Sequence, residues 1–184
     1  MSVTSGQLPL PISLAADDFQ LFDLPKQFEL NRDTLDQRWK ALQRQVHPDQ
    51  FAAQGAADKR LAMQWSVRVN EAYQRLKNPL KRASYLCELH GVAVNAEDNT
   101  SMPPAFLMQQ MQWRENLDEA DDLPSIEALL SDITLAKDQA YARCSDCIDH
   151  QMDWAQAVQE VRALMFLERF EKDIHHRLER LEDA

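Results

Sequence analysis

Apolar positions recur along this chain at intervals of three and four, a spacing that predicts helices over most of its length. Residues 1–16 (MSVTSGQLPLPISLAA) are the exception: they keep no period and contain Pro9 and Pro11, which predicts an extended lead-in. A short apolar turn follows, with Phe19, Phe22 and Leu24 ahead of Pro25. Asn31 or Asp33 can then cap a helix carrying Leu35, Trp39, Leu42 and Val46 on one stripe. That helix must stop before Pro48, because a residue preceding proline is pushed out of the helical region. From Gly55 a longer helix is expected, with Leu61, Trp65, Val69, Ala72, Tyr73 and Leu76 on one face, broken by Asn78-Pro79. A shorter one with Leu80, Ala83, Leu86 and Leu89 closes at His90-Gly91, a good C-terminal signal.

The stretch 92–102 (VAVNAEDNTSM) is polar and irregular, and a domain boundary is expected there. Beyond it the pattern predicts three longer helices, from about Pro103 to Ala120, Pro124 to Asp149 and Met152 to Leu181. The middle one has a single stripe from Ile126 through Ile133 and Ala140 to Cys144, Cys147 and Ile148. The last carries Trp154, Val158, Val161 and Met165 on one side, then Leu167, Phe170, Ile174, Leu178 and Leu181 on another. Three antiparallel helices with short connections form a bundle. No internal repeat is visible, and sustained coiled-coil heptads are missing.

Composition narrows the class. The 184 residues include 30 acidic and 20 basic side chains, a net charge of −10, with 45% apolar residues, 3 Gly and 8 Pro. Few glycines and few β-branched runs disfavour hairpin-rich sheets, so the fold class expected is all-α. No apolar run approaches the ~18 residues of a membrane span. Charge is unevenly placed: residues 1–91 hold 12 basic and 10 acidic groups, residues 92–184 hold 8 and 20. Two domains with different partners are expected, and the acidic balance argues against nucleic acid or an anionic membrane as one of them. Three cysteines, Cys87, Cys144 and Cys147, do not make a disulfide framework and favour a reducing compartment. The first basic side chain is Lys26, so residues 1–16 have neither the positive start of a secretory signal nor transit-peptide arginines. A cytoplasmic protein is expected.

The most informative tripeptide is His47-Pro48-Asp49, set between two helices. At roughly 100° per residue the stripe Leu35, Trp39, Leu42, Val46 clusters within about 60°, while Lys40 and Arg44 lie more than about 100° from its centre. A cationic outer face therefore runs into a loop whose tip holds an imidazole, a rigid proline and a carboxylate. Such a surface suits docking onto an acidic partner, the charges steering the encounter and the loop fixing register.

An amphipathic basic helix, the HPD tripeptide, Phe51 shortly after it and a long opposing helix together resemble the J-domain, which binds ATP-loaded DnaK-type chaperones and stimulates their ATP hydrolysis. The resemblance continues beyond it. The segments LQRQVHPDQFA (42–52), NPLKRASYLCELHG (78–91), AFLMQQMQWRENLDE (105–119) and RALMFLERF (162–170), with an acidic helical bundle after a J-domain, are similar to the HscB family, co-chaperones of iron–sulfur cluster assembly. The likeness runs from about Asp18 to the C-terminus. Taken with the pattern above, which gives a lead-in over 1–16 and a linker over 92–102, it implies a J-domain over 17–91 and a three-helix scaffold-binding domain over 103–184. It further implies that the J-domain engages the chaperone HscA, through His47, Pro48 and Asp49 with Lys40, Arg44 and Arg38, and that the bundle presents the scaffold IscU to it. Two features depart from the family pattern: Gln50 stands where a lysine often follows HPD, and the cysteine-rich zinc module of eukaryotic relatives has no counterpart, since no cysteine precedes Cys87.

The helix after Pro103 has more apolar residues than one face needs. Phe106, Trp113 and Leu117 fall within about 40° of one another, whereas Leu107, Met108 and Met111 lie roughly 100–200° around, beside Glu115. That second stripe is either buried between neighbouring helices or against the J-domain, or it is a docking face, for which methionines are suited. In the HscB family the scaffold-binding patch lies on this helix, and the matching positions are Leu107, Met108, Met111, Gln112 and Glu115, with Phe166 from the last helix. Gln112 replaces a residue that is typically acidic. An alternative is a generic J-domain protein whose bundle dimerises or binds other clients.

Other groups read more plainly. Cys144 and Cys147, followed by His150, lie on the apolar stripe with no second ligand pair, so buried thiols and no metal are expected. His47 and Asp49 have no nucleophile, phosphate loop or paired carboxylates to work with, so no catalytic residue, cofactor or independent enzyme activity is expected. His175 and His176 read as solvated surface, and the four tryptophans as core.

Overall fold

The computed structural model describes residues 13–51, 55–94 and 102–182, with the side chains of Gln50 and Phe51 outside the description. The lead-in up to Ile12 and most of the 92–102 stretch therefore lie outside it. Within the described residues all regular structure is helical, as the periodicity predicts. Seven α-helices follow in order: α1 (Asp18–Leu21), α2 (Arg32–Val46), α3 (Ala56–Lys77), α4 (Pro79–Leu89), α5 (Pro104–Glu119), α6 (Leu123–Ser145) and α7 (Trp154–Glu182). None of them is long and apolar enough to cross a membrane.

The chain divides into two compact units, Met1–Arg82 and Ala83–Ala184. The division falls inside α4, ahead of the 92–102 stretch named from composition. Burial explains why: Leu86 and Cys87 are enclosed, and His90 stacks on Trp154 of α7 with ring centroids 3.7 Å apart. The flanks of the irregular stretch are also tied to the second unit, since Arg162 Nε donates to Val94 O at 2.7 Å and Met102 is buried.

In the first unit Asp17 caps α1 in a reciprocal box with Gln20, each side chain accepting from the other residue's backbone N–H. Asp18 is fully buried between two arginines of α3, 2.7 Å from Arg68 and 2.9 Å from Arg75. A buried carboxylate is tolerable only when paired in this way. Asn31 caps α2 by accepting from Thr34 N, and α2 packs against α3 as a hairpin. Trp39 stacks on Tyr73 at 4.5 Å and donates to Asn70, while the Tyr73 hydroxyl donates to Asp36 at 2.9 Å. Phe19, Phe22, Leu35, Val46, Val69 and Leu76 fill the space between the helices. Arg82 fastens the start of α4 by donating to the carbonyls of Phe28 and Leu76.

In the second unit α6 and α7 form the principal hairpin. Its register is marked by Lys137–Glu171 at 2.6 Å, Tyr141 OH donating to Glu168 at 2.8 Å, and Arg143–Glu160 at 3.0 Å. Ile126, Ile133, Cys144, Val161, Leu164, Leu167 and Ile174 are its core. The expected helix end at Asp149 is replaced by a π-helical turn, Asp146–Gln151, which keeps Cys147 and Ile148 buried. It closes on Met152 in the left-handed region (φ 54°), so α7 begins at Trp154, capped by Asp153 accepting from Gln156 N.

Candidate interaction sites

The first site is built where α2 ends. Val46 is buried and holds the last turn down, while Pro48 forces His47 out of the helix into an extended conformation (φ −63°, ψ 127°). Pro48–Phe51 then makes one 3-10 turn, and Gly55 (φ 108°), at a backbone angle that disfavours other residues, leads into α3. The His47 ring folds over this turn and accepts from the Asp49 N–H on Nδ1 at 3.3 Å, with an Asp49 carboxylate oxygen 3.6 Å from the same nitrogen. Both side chains are exposed, Asp49 to 90%. The structure thus presents imidazole and carboxylate together at the tip.

Behind the tip, Gln43, Arg44, His47 and Asp49 line an open groove of about 340 Å3. Lys40 and Arg44 are exposed on the same helix, and Arg44 Nε donates to Lys40 O at 3.3 Å. Arg38 is less free than its neighbours, because it is committed to Asp23 at 2.8 Å. Gln43 was no part of the sequence expectation. It joins the site because its amide donates to Asn70 Oδ1, the atom that also receives the Trp39 N–H. Its position one turn before His47 is the only sign of this in the sequence.

The second site lies on α5. Gln110 and Trp113 face the core, while Met108 (71% exposed) and Met111 (63%) stand in water with Gln112 and Glu115. These four positions follow the i, i+3, i+4, i+7 rule and form one continuous face. Leu107 is half-buried at its edge. Gln112 donates to Asn116 at 3.0 Å along the helix. Of the two readings of the apolar surplus, the methionines take the exposed one.

Phe166 behaves differently from the other five. It is half-buried at the centre of an aromatic cluster joining α5 to α7: 5.9 Å from Phe106, 6.3 Å from Trp113 and 5.5 Å from Phe170. Arg114 lies over the same ring at 5.7 Å. Its position off the main α7 stripe therefore has a packing explanation that the sequence did not reveal. Trp39 and Trp154 are likewise half-buried, not fully enclosed as expected.

The three thiols are free and buried. Burial pushes Cys87 up to about 11, with Glu88 adding to the shift, and pushes Cys144 up to about 12, with Cys87 adding to that one. Thiols held so firmly protonated are poor nucleophiles and poor metal ligands. Among the described residues no group of three or more His, Cys, Asp or Glu is placed to hold a metal ion.

Comparisons with known proteins identify the family. Residues 102–175 match a family model described as the HSCB C-terminal oligomerisation domain. A co-chaperone protein HscB homolog of Burkholderia thailandensis is 49% identical over 174 residues, covering 93% of this chain and 99% of the relative. The homolog of Burkholderia multivorans is 48% identical over the same span. Among solved structures, the chaperone HscB from Vibrio cholerae superposes with a TM-score of 0.78 at 34% identity, covering 90% of this chain and 99% of that one. The human co-chaperone protein HscB gives 0.84 at 28% identity, covering 93% and 85%. Near-half identity over almost the whole of both chains, with the HPD loop and the bundle each in place, means that this chain belongs to the HscB family of co-chaperones.

Proposed function

We propose that this chain works in the cytoplasm in iron–sulfur cluster assembly, as an adaptor between a DnaK-type chaperone, HscA, and the scaffold protein IscU. The J-domain over 17–91 docks on ATP-loaded HscA and stimulates hydrolysis; the linker over 92–102 leads to the bundle over 103–184, which holds IscU. The observation that carries the reading is the exposed His47-Pro48-Asp49 tip at the end of a helix whose outer face shows Lys40 and Arg44. Cationic side chains raise the encounter rate with an acidic surface, and the loop fixes register once the surfaces meet. The chain makes and breaks no covalent bond in this scheme. Carrying client and chaperone on one polypeptide raises their effective concentration, so hydrolysis is timed to the arrival of client.

Steady-state ATPase measurements with HscA test it. His47→Gln should abolish stimulation while leaving helicity and capture of IscU unchanged. Full stimulation by that variant would overturn the proposal.

A second reading has one observation in its favour, the oligomerisation named in the matched family description. On that reading the Met108–Met111 face joins two copies of the bundle. Sedimentation of the purified chain separates the two: a dimer dispersed by Met108→Ser/Met111→Ser supports self-association, and a monomer that captures IscU supports delivery.

A further inference from the structure

The proposed function gives no role to Gln43, which lines the groove behind the tip with Arg44, His47 and Asp49. It lies one turn before His47 on α2, so its amide and the imidazole share a face of the helix. A long polar side chain on a surface helix ordinarily samples several rotamers and loses that freedom when it binds. Gln43 is already held in one orientation.

The order begins at Trp39. An indole N–H can only donate, so the group it meets must be an acceptor. It meets Asn70 of α3 at 3.0 Å, which fixes the Asn70 oxygen, and not its NH2 group, toward α2. The same oxygen receives Gln43 Nε2, since only the donor end of a second amide can approach it there. Gln43 Oε1 is thereby turned the other way, where Ser66 Oγ donates to it at a long 3.5 Å. Trp39 is anchored in turn by its stack on Tyr73. Asn70 is exposed, so these bonds and not enclosure hold its side chain.

A glutamine amide has two N–H donors and two lone pairs on its oxygen. One of each is used, by Asn70 and by Ser66, and one of each has no partner among the described residues. A donor and an acceptor side by side in one plane match a peptide unit or another carboxamide, which offers the reverse pair. An ammonium or a carboxylate would satisfy only half of it.

We propose that Gln43 is a specificity-determining residue of the groove, pairing with an uncharged amide on the chaperone surface, a main-chain peptide unit or an Asn or Gln side chain, and that Asn70 is the residue that positions it. The inference rests on the reading of His47-Pro48-Asp49 as the chaperone-docking loop. It adds to that loop a contact that carries no charge and is therefore insensitive to salt.

ATPase titrations with HscA in about 0.5 M salt, where surface charge is screened, read the half-saturating concentration of this chain. Gln43→Ala leaves the Trp39–Asn70 bond in place and should raise that concentration about fivefold, as expected for the loss of a neutral hydrogen bond, with the effect falling there and not on the maximal rate. Asn70→Leu leaves Gln43 nothing to donate to and should raise it about as much. Asn70→Asp keeps an acceptor oxygen facing both donors and should stay within about twofold of the parent chain. Gln43→Ala/Asn70→Leu should be no worse than Gln43→Ala alone. A Gln43→Ala chain that titrates like the parent, while His47→Gln abolishes stimulation, would overturn this assignment and leave the loop reading standing. Full stimulation by His47→Gln would overturn both. A double variant several-fold worse than either single would mean that Asn70 acts on its own, and would overturn its positioning role.

Discussion

In the first unit the groups proposed to meet a partner are polar and sit in a loop; in the second they are apolar and sit on an uninterrupted helix. The loop works by geometry. Val46 pins one side, Pro48 sets the turn, and the Asp49 N–H orients the His47 ring. The α5 face works by area: Met108 and Met111 offer flexible thioethers and need only that α5 stay seated through Trp113 and Phe106. The difference teaches that a polar site is lost by changing one atom, whereas an apolar one degrades by increments. It also teaches that stability and function should come apart cleanly on α5 and less cleanly on α7, where Phe166 serves packing.

The most damaging test of that contrast removes a support far from either site. Asp18→Ala removes the carboxylate that Arg68 and Arg75 share and leaves a buried hole, and should cost about 3 kcal/mol. Urea unfolding followed by hydrogen exchange should place the loss in α1–α3 and leave α6–α7 protected. An equal loss of protection in both units would mean that they are not separately stabilised.

Alkali should do the reverse. Cys87 and Cys144 have native pKa values of about 11 and about 12, above their ordinary value of 9.0. The native state therefore binds more protons than the unfolded chain above pH 9, and stability falls as pH rises. Each thiol contributes a progressive loss of stability between pH 9 and its native pKa. The loss should be confined to the second unit and disappear in Cys87→Ala/Cys144→Ala, measured against that variant's own baseline.

A finer cut separates packing from docking within the second unit. Phe166→Ala should cost about 2 kcal/mol, less than the 3–5 of a fully enclosed ring, because one side of it is open. Met108→Ser/Met111→Ser should change thermal stability by no more than about 0.5 kcal/mol while abolishing IscU capture. If the serine variant still captures IscU, the docking face is elsewhere. The smallest effect belongs to the cationic flank. Lys40→Ala/Arg44→Ala should slow chaperone association about tenfold at low salt and hardly at all in 0.5 M salt, as expected for screened surface charge. Arg38→Ala should do less than either, since Asp23 already engages that guanidinium.

The helices were legible because their stripes are long and their ends carry proline, glycine or a capping side chain; α2 ends at Val46 and α4 runs up to His90-Gly91 as these signals require. The HPD tip was legible as a motif, and the exposure of Lys40 and Arg44 behind it followed from the wheel of α2. The exposed stripe of α5 could be recognised as surplus, but whether it was covered depended on how α6 and α7 pack. Other features carried no local signal. Asp18 finds partners 50 and 57 residues away, Phe166 finds three rings on two helices, and the π turn at 146–151 repeats the apolar spacing of the helix before it. Long-range pairing decides each of these. The same holds for Met63 and Val67, whose exposure on α3 no count of apolar positions distinguishes from burial.

The hydrogen bond from the Asp49 amide occupies His47 Nδ1 and leaves Nε2 as the ring nitrogen open to a partner. The tip accordingly shows the outside world one polar ring atom and, next to it, one carboxylate. A surface receiving both must supply a hydrogen-bonding group for the ring and a cation for the carboxylate. The socket for this tip is thus of mixed sign, unlike the uniformly acidic patch that would suit the lysine and arginine behind it.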